Sequence, residues 1–229
     1  MTTLAFKEYG EGLPLVLLHA FPLSGSMWEA NAKFIAKEGF RVILPDLPGF
    51  GRSHSGSDGF SLEKIASDVD AFLEDLSIEQ AVIGGLSMGG YITFNLLRLF
   101  PGRFLGTVLC DTTCAAEPAE NIPNRNRLIS LINENGAQAL VDEMLPNLIS
   151  DHTKRSDPDL VSRLTDDFLE CDPSSAIAAL EGFVERKDHT YLLPKIEVPA
   201  LLIFGEHDKF TTAANARSMS GMIRNAKLS

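Results

Sequence analysis

Ala81-Val82-Ile83-Gly84-Gly85-Leu86-Ser87-Met88-Gly89-Gly90 is the stretch whose reading decides the fold. Its first three residues are an apolar, β-branched run that reads as a buried strand. The apolar period over 89–100, closed by Pro101-Gly102, reads as a helix. Between them stands Gly85-Leu86-Ser87-Met88-Gly89, a G-x-S-x-G pattern in strand–turn–helix context. So sharp a turn strains the backbone of its central residue and needs small residues two before and two after it. Gly84, Gly85, Gly89 and Gly90 supply that room. The turn lifts the Ser87 hydroxyl off the sheet, and the first helical turn aims free N–H groups and the positive end of its dipole at a developing oxyanion. No Gly-Lys-Ser/Thr follows a glycine run, so nothing resembles a phosphate-binding P-loop.

Outward from this stretch, short apolar runs alternate with helical periods, the pattern of a parallel sheet covered on both faces. Leu15-Val16-Leu17-Leu18 is a strand buried on both sides, 28–37 a helix, and Arg41-Val42-Ile43-Leu44 a second strand closed by Pro45. Pro48, Gly49, Gly51 and the Ser/Gly-rich residues 53–59 make a surface loop. Ser61 caps a helix whose apolar stripe includes Leu62, Ile65, Val69, Phe72 and Leu73, with Phe60 and Ile65 as a hydrophobic staple. A fourth strand spans 104–110.

From 112 to 194 the β-branched runs give way to Pro-punctuated helices. Asp157-Pro158 and Asp172-Pro173 each read as an N-cap followed by Pro at the first helical position. A strand returns at 200–204, then a helix over 212–222, and 224–229 opens a last strand. The expected fold class is α/β, a mostly parallel doubly wound sheet. Residues 1–111 and 195–229 form its core and 112–194 a helical cap.

Lys plus Arg is 20 against 31 for Asp plus Glu, a net charge of −11 over 229 residues with 45% hydrophobic content. Such a chain lacks the clustered cations that counterion release on nucleic acid or an anionic membrane requires, and it is too apolar for a disordered tail. The N-terminal MTTLAFKEYG shows no basic region ahead of an apolar stretch, and no run reaches the roughly 18 apolar residues of a membrane span. A cytoplasmic protein with no nucleic-acid or membrane partner is expected. Cys110, Cys114 and Cys171 are odd in number and lack C-x-x-C spacing, so they read as ordinary buried thiols, with no metal.

Four motifs, in order, resemble the α/β-hydrolase family over essentially the whole chain: His19-Ala20-Phe21-Pro22, Asp46-Leu47-Pro48-Gly49-Phe50-Gly51-Arg52-Ser53, the Gly-Leu-Ser-Met-Gly-Gly elbow, and Gly205-Glu206-His207-Asp208. The pattern looks most like the esterase and lactonase branch that includes 3-oxoadipate enol-lactonases. The resemblance implies Ser87 as nucleophile, the N–H groups of Met88 and Phe21 as the oxyanion hole, and Asp208 as the acid that orients an imidazole, with Asp111 the rival acid. His19 shapes the oxyanion loop in that family and Asp46 braces the Pro-Gly loop. Ala20 replaces the usual Gly, at a cost on the order of 1 kcal/mol if the position needs a positive φ. Leu23, Met27, Trp28 and, in the cap, Leu131, Ile132, Met144 and Leu145 line an acyl pocket or simply pack the cap on the sheet.

The resemblance places the general-base His after the last strand, yet no His follows His207. His54, His152, His189 and His207 read as solvated or capping residues. Either 1–229 is a piece of a longer polypeptide whose last strand, His loop and final helix lie beyond Ser229, or the scaffold has lost its base; the first is expected. The implied function is a carboxylic ester or lactone hydrolase working through an acyl-enzyme on a small-molecule substrate, without metal or organic cofactor. A non-catalytic ligand-binding protein on the same fold is the alternative, as is a carbon–carbon bond hydrolase or perhydrolase with the same triad. Oligomeric state is open.

Overall fold

A computed structural model describes residues 4–55 and 60–229 of the chain. Among these residues seven strands form one sheet. They are β1 (Phe6–Tyr9), β2 (Leu13–Leu18), β3 (Phe40–Pro45), β4 (Ala81–Leu86), β5 (Phe104–Cys110), β6 (Ala200–Ile203) and β7 (Ala226–Leu228). Their order is β1-β3-β2-β4-β5-β6-β7, and every pairing is parallel except β1 with β3. This is the doubly wound sheet expected from the sequence, with the last strand opening where 224–229 placed it. The loop expected over 53–59 is described as far as Ser55; residues 56–59 lie outside the described part.

Side chains of β2 and β3 alternate between the two faces, as the pleat requires. Leu15, Leu17, Val42 and Leu44 pack with Ala32 on the face that carries α1 (Glu29–Ile35). Val16, Leu18 and Ile43 face the larger core, which they share with residues of α2 (Leu62–Asp75) and α3 (Met88–Leu99). Ser61 caps α2 by accepting from the Lys64 N–H, as its sequence position implied.

Two elements differ from expectation. The four residues of β1, Phe-Lys-Glu-Tyr, have no continuous apolar run to announce a strand; as an edge strand β1 is half-buried only at Phe6, whose ring meets Phe72 edge-on at 5.2 Å, and at Tyr9. The helix expected over 28–37 is broken into a 3₁₀ turn at Gly25–Trp28, α1, and a second 3₁₀ turn at Ala36–Glu38 that Gly39 ends at φ 86°.

Between β5 and β6 the chain runs through five helices: α4 (Ile122–Asn135), α5 (Gln138–Leu148), α6 (Asp151–Ser156), α7 (Pro158–Leu169) and α8 (Pro173–Val184). Both Asp-Pro pairs start helices as read: Asp157 accepts from the Leu160 N–H at 2.9 Å and Asp172 from the Ser175 N–H at 2.8 Å. The last helix, α9 (Ala213–Met222), is capped by Thr212. No described helix is long and apolar enough to cross a membrane.

The Asp172 cap is tested directly. Its carboxyl is held below the usual carboxylate range by the Ser174 hydroxyl and the Ser175 N–H. Asp172→Ala is expected to lower stability by about 1 kcal/mol at neutral pH, roughly 2–4 °C in Tm for a chain of this size. A lowered acid pKa stabilises above the unfolded value, so the gap between the two proteins narrows as pH falls through the folded pKa. Thermal unfolding at pH 7 with no difference between them would contradict this role.

Candidate active site

Ser87 joins β4 to α3 at φ 51° and ψ −108°, a left-handed conformation that costs a non-glycine residue about 1 kcal/mol or more. Its backbone is clamped on all sides. The Ser87 N–H donates to the Cys110 carbonyl at 3.1 Å, and its carbonyl accepts from the Gly90 and Tyr91 N–H groups and from the Thr112 hydroxyl. The hydroxyl of Ser87 has no hydrogen-bond partner among the described residues. Two glycines make the turn possible: a Cβ on Gly85 would stand 2.2 Å from the Gly89 carbonyl carbon, and one on Gly89 would stand 2.3 Å from the Leu18 carbonyl oxygen.

The loop that carries Phe21 is built on a buried imidazole. His19 is fully buried; its Nε2 accepts from the Leu47 N–H at 2.9 Å, which leaves Nδ1–H to donate to the Ala20 carbonyl at 2.9 Å. Burial pushes its pKa down to about 4, against weaker opposing pulls from the Ala20 carbonyl and Asp46. With both nitrogens occupied, His19 has a structural role and no proton to exchange. Asp46 braces the Pro-Gly loop as expected, accepting from the Gly25 N–H at 3.0 Å and from the backbone and side chain of Arg52. Ala20 is not among the described non-glycine residues of positive φ, which are Ser77, Ser87 and Asp111. The expected cost of replacing Gly there is therefore not incurred.

Three consecutive strands deliver Ser87, Asp111 and Asp208 to one edge of the sheet, because β4, β5 and β6 are parallel neighbours whose C-terminal ends align. Asp111 leaves β5 at φ 34°, and its Oδ1 accepts from the Gly205 N–H at 2.8 Å. Burial raises its pKa, as does the neighbouring Asp208, while the Gly205 N–H pulls the other way. Asp208 is half-buried; its Oδ1 accepts from the Phe210 and Thr211 N–H groups and its Oδ2 from the Thr211 hydroxyl. Asp208 therefore caps the turn that leads into Thr211. Both carboxylates wall a cavity of about 630 Å³ closed by 205–210 on one side and 147–153 of α5 and α6 on the other. The latter segment escaped sequence reading because it carries no motif beyond the Ser150 cap on Thr153.

An aromatic cluster fixes Phe21 itself. Phe183 of α8 meets Phe21 edge-on at 5.4 Å, Tyr91 at 5.7 Å and Phe60 at 6.2 Å. The Arg186 guanidinium lies 4.0 Å from the centre of the Tyr91 ring and that of Arg125 lies 5.6 Å from Phe183, both arginines reaching Glu117. These residues share no sequence spacing, so nothing in the sequence flagged the cluster.

The residues that could line an acyl pocket or pack the cap are found packed. The Trp28 ring packs with Leu15, Leu17, Val42 and Leu44 on the α1 face, and its Nε1–H donates to the Leu18 carbonyl at 3.1 Å. Leu23, Leu131 and Met144 pack half-buried on the main core, while Ile132 and Leu145 are buried within it. None of these lines the cavity beside Asp111 and Asp208. His54, His152 and His207 are exposed as expected, but His189 is a correction. It is 4% exposed, with its N–H on the Cys114 carbonyl and its ring against Tyr191, and its Nδ1 has no partner among the described residues. The three cysteines are buried and free, and burial pushes Cys110 and Cys171 up to about 12.

A family model described as alpha/beta hydrolase fold matches residues 14–228. The structure is similar to that of a thermophilic esterase from Thermogutta terrifontis, with 34% identity, a TM-score of 0.94, and 98% of this chain and 83% of that one covered. It is also similar to the enol-lactonase from Burkholderia xenovorans, with 27% identity, a TM-score of 0.90, and 98% and 86% coverage. In sequence, 3-oxoadipate enol-lactonase 2 of Acinetobacter baylyi is 26% identical over 89% of this chain and 74% of its own length. Non-heme chloroperoxidases match as well. The chain spans 84% of the Synechocystis relative but only 40% of that of Streptomyces lividans.

The buried imidazole under the Phe21 loop has a measurable consequence. In the fold His19 stays neutral down to about pH 4, whereas the unfolded chain protonates it near 6.5. Between those values the unfolded state binds more protons, so stability falls as pH drops from 6.5 toward 4. His19→Asn is expected to flatten that slope, whatever it does to absolute stability. A Tm-against-pH slope identical to that of the parent would contradict this assignment.

Proposed function

Because the chain belongs to the alpha/beta hydrolase fold family, we propose that it is a serine hydrolase cleaving a carboxylic ester or lactone through an acyl-enzyme intermediate. The observation that carries this reading is Ser87, held in a strained left-handed conformation with its hydroxyl unengaged at the start of α3. Strain of this kind is kept where the surrounding structure over-determines it and function uses it.

Ser87 Oγ attacks the substrate carbonyl carbon as its proton passes to a base. The tetrahedral oxyanion accepts hydrogen bonds from the N–H groups of Met88 and Phe21. The Met88 N–H belongs to the first helical residue, ahead of the intrahelical ladder, and is free to donate. Phe21 is set by the His19 imidazole on one side and by Phe183 on the other. Collapse of the intermediate breaks the bond to the alcohol oxygen, which leaves with the base's proton. Water then attacks the acyl-enzyme by the same route, releasing the acid and restoring Ser87.

The base is an imidazole oriented by Asp208. β7 runs parallel to β6, so its C-terminal end points to the side of the sheet where the Asp208 turn lies. Residues 112–194 act as the cap, docked by Phe183, Arg125 and Arg186 over the start of α3. The ester and lactone class is supported by the esterase and enol-lactonase to which the chain is similar.

A fluorophosphonate probe on the full-length protein tests the reading. One equivalent is expected to attach at Ser87, and Ser87→Ala is expected to lose labelling and to lower ester hydrolysis by about 10³-fold or more. A correctly folded full-length protein inert to the probe overturns the proposal.

A further inference from the structure

The function proposed above uses one carboxylate at the edge of the sheet, yet two stand there. We propose that Asp111 and Asp208 form a single carboxyl pair, in which Asp111 holds the pair's proton, donates it in a hydrogen bond to Asp208, and so positions the loop that carries the acid. This rests on reading Asp208 as the acid of the triad, and it makes Asp111 a positioning residue.

The geometry brings the two groups to one glycine. A Cβ on Gly205 would lie 3.8 and 3.9 Å from the two oxygens of Asp111 and 3.9 Å from the Cβ of Asp208. Asp111 accepts from the Gly205 N–H, and the Asp208 N–H in turn donates to the Gly205 carbonyl at 3.1 Å. The turn that presents Asp208 is thus pinned at its first residue by Asp111.

Hydrogen-bond supply decides which partner keeps the proton. Asp208 receives two backbone N–H groups and a hydroxyl, whereas Asp111 receives one N–H. Donors stabilise the charged form, so the proton belongs on Asp111. The raised pKa of Asp111, with Asp208 among its causes, agrees.

The surroundings do not neutralise a second charge. The charged and titratable groups facing this cavity are Asp151 and His152 from α6 and Glu206, His207 and Lys209 from the 205–210 loop, with the Cys110 thiol adjoining on β5. Among the described residues neither Asp111 nor Asp208 makes an ion pair. A neighbouring carboxylate disfavours the second negative charge, which is the direction in which Asp111 is shifted. The left-handed backbone of Asp111 is a further strained feature at this same edge, one that Asn also adopts.

Carboxyl-carbon NMR titration of the full-length protein labelled at aspartate tests the pair. Asp111 is expected to titrate above the usual aspartate range and to fall back by about one pH unit in Asp208→Asn, which removes the neighbouring charge. Asp111→Asn, which keeps an acceptor for Gly205 and a donor for Asp208, is expected to retain most hydrolytic activity, while Asp111→Ala loses it. An Asp111 titration in the ordinary range, or one unmoved by Asp208→Asn, overturns the pair. Coupled titration in a protein inert to the fluorophosphonate probe supports the pair and overturns the triad reading, so the two failures are distinguishable.

Discussion

The approach of two backbones at the start of α3 is the constraint on which the site depends. Where β4 turns into the helix, Gly89 comes so close to the end of β2 that a single added carbon would meet the Leu18 carbonyl oxygen at 2.3 Å. That closeness leaves the intervening residue no relaxed path, and Ser87 takes the strain at φ 51°. The strain is sustained because neighbouring elements each hold one atom of it: the Cys110 carbonyl takes the Ser87 N–H, and Thr112 with the first turn of α3 takes its carbonyl. A well-packed interior transmits such constraints because it has little free volume in which to relax. The hydroxyl is aimed by the backbone alone, which leaves it available to a substrate.

A second layer of control comes from the helices between β5 and β6. Phe183 stands at the meeting point of Phe21, Tyr91 and Phe60, so α8 is keyed both to the loop that carries Phe21 and to the helix that follows Ser87. Arg186, 4% exposed in its side chain, is held by Glu117, by the Ala115 carbonyl and by the face of Tyr91. A buried ion pair contributes little net stability compared with an apolar replacement, but losing one partner strands the other. The arrangement therefore fixes the placement of α8 on the elbow more than it strengthens the fold.

Most of the fold was legible in the sequence because each strand end and helix start carries its own local chemistry. Continuous apolar runs marked β2, β3, β5 and β6, and Asp-Pro pairs marked α7 and α8 to the residue. The elbow was legible for the same reason, since G-x-S-x-G is the local solution to a local crowding problem. What escaped was non-local. β1 depends on hydrogen bonds from β3 and on Phe72 for its existence, not on its own four residues. Sequence alone leaves Trp28 free to line a pocket or to pack, and the fold decides for packing because the Leu18 carbonyl takes its indole N–H beside the α1-face cluster. The Glu117–Arg186–Tyr91 contact and the Asp111–Gly205–Asp208 arrangement join residues far apart in sequence, and only the folded chain brings them together.

The central claim is that the strained serine and two N–H groups form one preorganised oxyanion site. A crystal structure of the full-length protein inhibited by a phosphonate ester tests it most directly. The account predicts phosphorus bonded to Ser87 Oγ, with the phosphonyl oxygen about 2.7–3.1 Å from the backbone nitrogens of both Met88 and Phe21. Phosphorus on a different residue, or a phosphonyl oxygen facing away from those two nitrogens, would contradict it.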